Sequence, residues 1–294
     1  MSPYSQSSIQ PAAPDKSGAS FGRSSDGLLV ALVGENSYAM VPARGGQHYL
    51  ATGWRISRPM AEWTRSDFYS HFGDLADEGA FRAKVLEQAQ HCREKQALGR
   101  LRLAGGAHTP WGQSQGGTIY AEGVVSHSTA GHGGFKLSAE RNRKVHTLLR
   151  APGGWYEEDE CWAIVAITFP QLFTSLERRY AEQTVKDSWP DAWEEISGIT
   201  LVVGESRKRD KRAFQAMHAA DWVVVSAITA EQPGFVECIA TLGGQYGDDV
   251  EKRRFLVPST EYSIGRFGFV IDPDRHGVYD GPSSFAGWGG RTSR

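Results

Sequence analysis

Residues 28–41, LLVALVGENSYAMV, decide the fold reading. Two short runs of branched, apolar and aromatic residues, 28–33 and 38–41, flank Gly34-Glu35-Asn36. Strand formers on both sides of a turn-forming cluster predict a β-hairpin. Working outward, residues 48–56 add a third strand. Phe81, Val85, Ala89 and Cys92 then recur at helical spacing and predict an amphipathic helix over residues 79–98. Gly105-Gly106 closes this first unit, residues 26–106. Upstream, residues 1–25 are rich in Ser, Pro, Gln and Gly, which predicts a disordered tail.

A central unit, residues 107–198, reads as another α+β piece. A strand over 118–126 is interrupted by Gly123, and a glycine-rich loop follows at 130–134. Ser138 suits an N-cap for a basic helix over 139–149. Pro170 suits the first turn of a helix that turns Leu172, Phe173, Leu176 and Tyr180 inward. Trp189, Pro190 and Trp193 predict a further short helix. In the last unit, residues 199–294, a charged helix follows Ser206 with Phe214 and Met217 on its inner side. Strands are expected at 222–228, 235–242, 254–257 and 267–271, before a loose or draped tail at 281–294. Mixed helices and sequential strands make the chain α+β. We expect small, mostly antiparallel sheets in about two structural units, the last packed on the central one.

Composition narrows the function classes. Apolar residues are 40% and charged residues 22% of the 294, a globular balance. A net charge of -2 gives no basic excess for gripping phosphates, so nucleic acid is not indicated as a partner. Cys92, Cys161 and Cys238 are odd in number and far apart, which argues against a disulfide framework and a cysteine zinc site. No apolar run reaches the ~18–20 residues of a membrane span. The N-terminus shows no basic region followed by an apolar core. The expectation is a cytoplasmic protein without membrane contact.

Two stretches carry the candidate chemistry. The first is His127-Ser128-Thr129-Ala130-Gly131-His132-Gly133-Gly134. It sets two imidazoles five residues apart, among glycines that let a backbone approach a ligand closely. The second is Trp155-Tyr156-Glu157-Glu158-Asp159-Glu160-Cys161-Trp162, with four acids in succession. Together they give a metal reading. His127, His132 and Glu157 or Glu158 would be ligands of a divalent ion, and a spare carboxylate, Glu158 or Asp159, the base, with His132 as a further catalytic candidate. The same residues also suit a plain role, with imidazoles closing a strand and turn and acids solvated at a helix start. A nucleophile at Ser128, Thr129 or Cys161 would need an oriented base, and no GxSxG turn is present. The run Arg207, Lys208, Arg209, Lys211, Arg212 reads as a solvated helix face.

An interaction reading uses charge asymmetry. Residues 155–196 hold ten acidic and three basic side chains. A binding surface of His132, Trp155, Tyr156, Glu157, Glu158 and Asp159 would then dock a protein partner of opposite charge. The opposing possibility is neutralisation by the neighbouring Arg141, Arg143, Lys144 and Arg150.

Thr109-Pro110-Trp111-Gly112, Ser128 to Gly134, Trp155 to Asp159 and Trp162-Ala163-Ile164-Val165-Ala166 resemble an uncharacterised family encoded on bacterial plasmids and other mobile elements. The resemblance covers about 90 central residues and extends more weakly to Arg266-Phe267-Gly268-Phe269-Val270-Ile271-Asp272-Pro273. It implies context and no catalytic residues. The implied role is a plasmid accessory protein that binds a macromolecular partner and counters a host defence system. The other reading of the residues is a metal-dependent hydrolase using His127, His132 and Glu157 or Glu158.

Overall fold

A computed structural model describes residues 18–285. The chain divides into two compact units, Met1–Val185 and Lys186–Arg294.

The first unit opens with a five-stranded antiparallel meander, β1 (Ala19–Arg23), β2 (Leu29–Val33), β3 (Asn36–Pro42), β4 (His48–Trp54) and β5 (Ser70–Leu75), in that spatial order. The hairpin around Gly34-Glu35 forms as expected, with Val33 opposite Asn36. Residues 28–33 form a continuous apolar run because both faces of β2 are covered. Ala31 and Val33 pack with Phe81, Val85 and Ala89 of α1 (Glu78–Ala97) on one side. Val30 packs with Trp63 and Phe68 on the other. Burying each such side chain is worth about 1.5–3 kcal/mol. The Asp77 carboxylate caps α1 by accepting the Ala80 N–H at 2.7 Å.

The N-terminal reading needs a correction. Ala19–Arg23 is a strand, because its backbone pairs with β2 and Ala19 enters the core. Residues 1–17 of the expected tail lie outside the described residues. Edge strand β5 is largely exposed.

The second sheet begins with β6 (Leu101–Ala104). A small hairpin, β7 (His108–Thr109) and β8 (Gly112–Gln113), stands apart from it. Next come β9 (Gly116–Ala121), β10 (Val124–Ser128), β11 (Gly133–Leu137) and β12 (Trp155–Glu157). Their order is β12-β11-β10-β9-β6, antiparallel throughout. Gly133 and Gly134 are strand residues, so the expected glycine loop shrinks to a turn at 129–132.

The basic helix is also shorter than expected. Ser138 does cap it, but α2 spans only Ala139–Asn142. Side chains beyond it take backbone groups that a longer helix would use. The Asn142 amide donates to Ala151 O at 2.9 Å, and Arg150 donates to Val145 O at 2.7 Å. Helices α3 (Trp162–Thr168) and α4 (Ser175–Ser188) follow. Phe173 and Leu176 are buried as expected, whereas Tyr180 is exposed. Arg100 and Glu177 form a largely buried ion pair at 2.6 Å, with Arg100 lying over the Tyr120 ring.

The second unit holds α5 (Pro190–Ser197), α6 (Arg207–Met217) and a three-stranded antiparallel sheet, β13 (Trp222–Thr229), β14 (Phe235–Leu242) and β15 (Arg253–Pro258). Ser206 caps α6, but Met217 points to solvent. The strand expected at 267–271 is a single bridge, Val223 to Val270, because the chain turns between Gly265 and Gly268. Glu237 is fully buried on β14. It pairs with Arg254 at 2.9 Å and accepts the Ser284 N–H and Ser283 hydroxyl at 2.7 Å. Residues 281–284 are thereby draped on the sheet, and 286–294 lie outside the described residues. Among the described residues, no helix is long and apolar enough to cross a membrane.

Candidate functional site

The site grows from two neighbouring strand ends. At the β10–β11 turn, the Thr129 N–H donates to His132 O at 2.7 Å, as does its hydroxyl. The His132 N–H donates back to Thr129 Oγ1 at 3.2 Å. These bonds set the backbone from which the exposed His132 ring projects. Beside it, β12 pairs Glu157 with Gly134, and the Glu158 N–H donates to Gly133 O at 3.1 Å.

The geometry brings His132, Glu157 and Glu158 together. One ligand atom from each lies within 4.8 Å of the others. His132 Nδ1 is 3.8 Å from Glu157 Oε1. That oxygen is buried and, among the described residues, has no hydrogen-bond partner. The other Glu157 oxygen, Oε2, accepts the Asp159 N–H at 2.8 Å. Gly133 is what lets Glu158 reach this position. A Cβ there would lie within 3.0 Å of the Glu158 carboxylate and 2.7 Å from the His127 carbonyl oxygen.

His127 is not brought into this cluster. It pairs with Gly134 across β10 and β11, and Gly134 in turn pairs with Glu157. At ~4.7–4.9 Å per strand, His127 and Glu157 stand roughly 9.5 Å apart along the sheet. The missing side chain at Gly134 leaves room for the Trp111 ring, carried on the β7–β8 turn, which lies against it. His127 itself is buried. Its Nδ1 is 3.4 Å from Ser114 Oγ, and its ring is 5.7 Å from that of Trp155. Burial lowers its pKa, since a charged ring would lose its water.

Strand alternation also corrects the binding surface. Trp155 and Glu157 are half-buried on one face of β12, whereas Tyr156 between them points to the other and is 1% exposed. Its hydroxyl donates to Asn142 Oδ1 at 2.6 Å and accepts the Ala151 N–H at 3.1 Å. Trp155 meets Trp111 edge to face at 5.7 Å, and Lys136 Nζ lies 4.7 Å from the Trp155 ring centre. Asp159 and Glu160 are exposed on the following turn. Burial pushes the Cys161 thiol up, with a hydrogen bond to the Glu157 backbone opposing it, which disfavours a thiolate nucleophile.

The basic helix does not neutralise the acids. Arg141 donates to Glu122 O at 3.0 Å, and Arg150 turns back onto Val145. The run on α6 is largely occupied within its own unit. Arg212 pairs with Asp191 at 2.8 Å, Arg209 with Glu194, and Lys208 donates to Ser188 O at 3.0 Å. Sequence reasoning placed Gly134 in a ligand loop and Trp111 in the family resemblance, without expecting the ring to pack on the glycine. The available signal was the pair Gly133-Gly134 ahead of an alternating strand pattern, which marks close approach by other groups.

An imidazole and two carboxylates converging at a sheet edge define a candidate divalent-cation centre. A domain of unknown function, DUF7007, is found over residues 104–219, a span that contains every residue of the cluster. No curated protein and no solved structure matches the chain.

Proposed function

We propose that His132, Glu157 and Glu158 bind a divalent transition-metal ion, and that the protein is a metal-dependent hydrolase acting at this edge on a phosphodiester or peptide bond. One observation carries the reading: three ligand atoms of suitable chemistry, one each from His132, Glu157 and Glu158, lie within 4.8 Å of one another. Ligand atoms held tetrahedrally at ~2.0–2.2 Å stand about 3.4 Å apart, so the exposed His132 and Glu158 side chains need to close by up to about 1.4 Å. Three protein ligands leave a position for water, whose pKa a zinc ion there would lower to about 7. Asp159, exposed at the next position, is the spare carboxylate for proton transfer. Elemental analysis and calorimetric titration with Zn²⁺ and Mn²⁺ test the proposal. One ion per chain, lost in His132→Ala and Glu157→Gln with the fold retained, is the expected result. A chain that binds neither ion refutes it.

A second reading draws on the unneutralised acids. Among the described residues, Glu158, Asp159 and Glu160 have no ion-pair partner, and the Arg141 and Arg150 side chains are engaged elsewhere. In this reading the chain is a cytoplasmic accessory protein of a mobile element. It binds a basic protein partner through the Trp155 and Glu157–Glu160 edge and blunts a host defence. Reversing the charge of Glu158, Asp159 and Glu160 then abolishes partner capture in a cross-linking assay, while stripping divalent metal with a chelator leaves capture intact. Capture that survives the triple reversal refutes this reading.

A further inference from the structure

Helices α1 and α4 enclose a hollow of about 360 Å³, lined by Leu86, Gln90 and Arg93 of the first and Ser175, Leu176 and Arg179 of the second. It uses none of the residues of the His132 cluster. At ~30 Å³ for each atom-sized site it holds about a dozen non-hydrogen atoms.

The charges around it are unequally satisfied. Glu94 is fully engaged, accepting the Ser175 N–H, the Ser175 hydroxyl at 3.0 Å and the Gln90 amide at 2.8 Å. Glu87, which also lines the hollow, pairs through Oε1 with Arg179; its buried Oε2, without a hydrogen-bond partner among the described residues, lies 3.8 Å from Lys84 Nζ. Among the described residues, Arg93 has neither a hydrogen-bond nor an ion-pair partner. Among the described residues, one guanidinium therefore has no carboxylate partner and stands beside a second that already shares one. Within a mostly polar lining, Leu86, 39% exposed, and the buried Leu176 supply an apolar patch.

We propose that this hollow binds a small amphipathic monocarboxylate. Its carboxylate is held by Arg93, whose planar fork suits that group. Its hydrocarbon body covers Leu86 and Leu176. A dianion such as phosphate is the poorer fit, because only one free cation faces it and it offers no apolar surface to the leucines.

Hexanoate is the probe, titrated into the full chain and followed by thermal shift and by calorimetry. Hexylamine, hexanol and inorganic phosphate are the comparisons. Hexanoate is expected to raise the melting temperature and to bind at least tenfold more tightly than any of the three. Arg93→Ala is expected to weaken hexanoate at least tenfold while the unliganded protein melts as before, since Arg93 bonds no other group among the described residues. Leu86→Asp should weaken it similarly. The proposal is overturned by hexanoate failing to bind at millimolar concentration, by Arg93→Ala binding it like the wild type, or by phosphate or hexylamine binding as tightly.

Discussion

Replacing Gly133 by alanine tests how the candidate metal centre is built. Gly133 sits on β11 opposite Ser128, and its carbonyl receives the Glu158 N–H. An added Cβ meets two different obstacles. The His127 carbonyl oxygen, 2.7 Å away, belongs to the backbone of the neighbouring strand and cannot swing aside. The Glu158 carboxylate is the end of a flexible, exposed side chain and can. The first obstacle predicts a loss of about 1–3 kcal/mol in urea unfolding, the range for forcing a methyl group into packed structure. The second predicts that Glu158 leaves the cluster, weakening Zn²⁺ or Mn²⁺ binding about 10–100-fold, as when a ligand loses its support. Glu158→Ala alone removes the mobile obstacle and changes stability by no more than about 0.5 kcal/mol, as is usual at exposed positions. The double variant then keeps most of the Gly133→Ala destabilisation, because the carbonyl remains. It binds metal no more weakly than Glu158→Ala, because both changes act through one carboxylate. Wild-type stability and metal affinity in Gly133→Ala would refute the geometry. Additive losses of affinity in the double variant would show that Glu158 is not the route by which Gly133 acts.

Three further outcomes follow from buried groups. His127 has a lowered pKa, so the unfolded chain takes up a proton near pH 6.5 that the folded chain refuses. Stability is full above that pH and declines as pH falls through it; urea midpoints between pH 8 and 5 should lose this slope in His127→Gln, and an unchanged slope counts against a buried neutral ring. Glu237→Ala leaves Arg254 charged and largely buried, and should cost about 3–5 kcal/mol and free the Ser283-Ser284 segment to proteolysis; resistance equal to the wild type would deny that the ion pair holds that segment. Cys161 should react with iodoacetamide at pH 8 more slowly than a free cysteine, because burial raises its pKa; reaction at the free rate would contradict that.

The parts of the fold that were legible in sequence are those whose signal is local. The β2–β3 hairpin announces itself by composition and turn residues, and α1 by the spacing of Phe81, Val85 and Ala89. Strands β5 and β6 carry no such signal, because they lie at sheet edges and expose most of their side chains. Residues 139–149 look helical by propensity, yet Asn142, His146 and Arg150 spend their polar groups on nearby backbone and stop the helix after one turn. Tyr180 and Met217 sit at helical spacing from buried neighbours, but both are exposed in the fold. Periodicity identifies a face; it does not say how far the covering layer extends.

The site was half legible for a related reason. Residue types located the imidazole turn and the acidic stretch, and pairing of β11 with β12 makes them neighbours. Register then decides which imidazole takes part. With the turn occupying residues 129–132, Ser128 falls opposite Gly133 and His127 opposite Gly134. That places His127 two strands from Glu157, behind a glycine on which Trp111 rests, while His132 emerges at the turn beside it. A ligand set of two imidazoles and one carboxylate becomes one imidazole and two carboxylates. The more oxygen-rich set favours harder ions, so manganese gains on zinc relative to the two-histidine arrangement. Shifting the turn by a single residue would exchange the faces of His127 and its neighbours, so turn length between β10 and β11 decides which histidine meets the carboxylates.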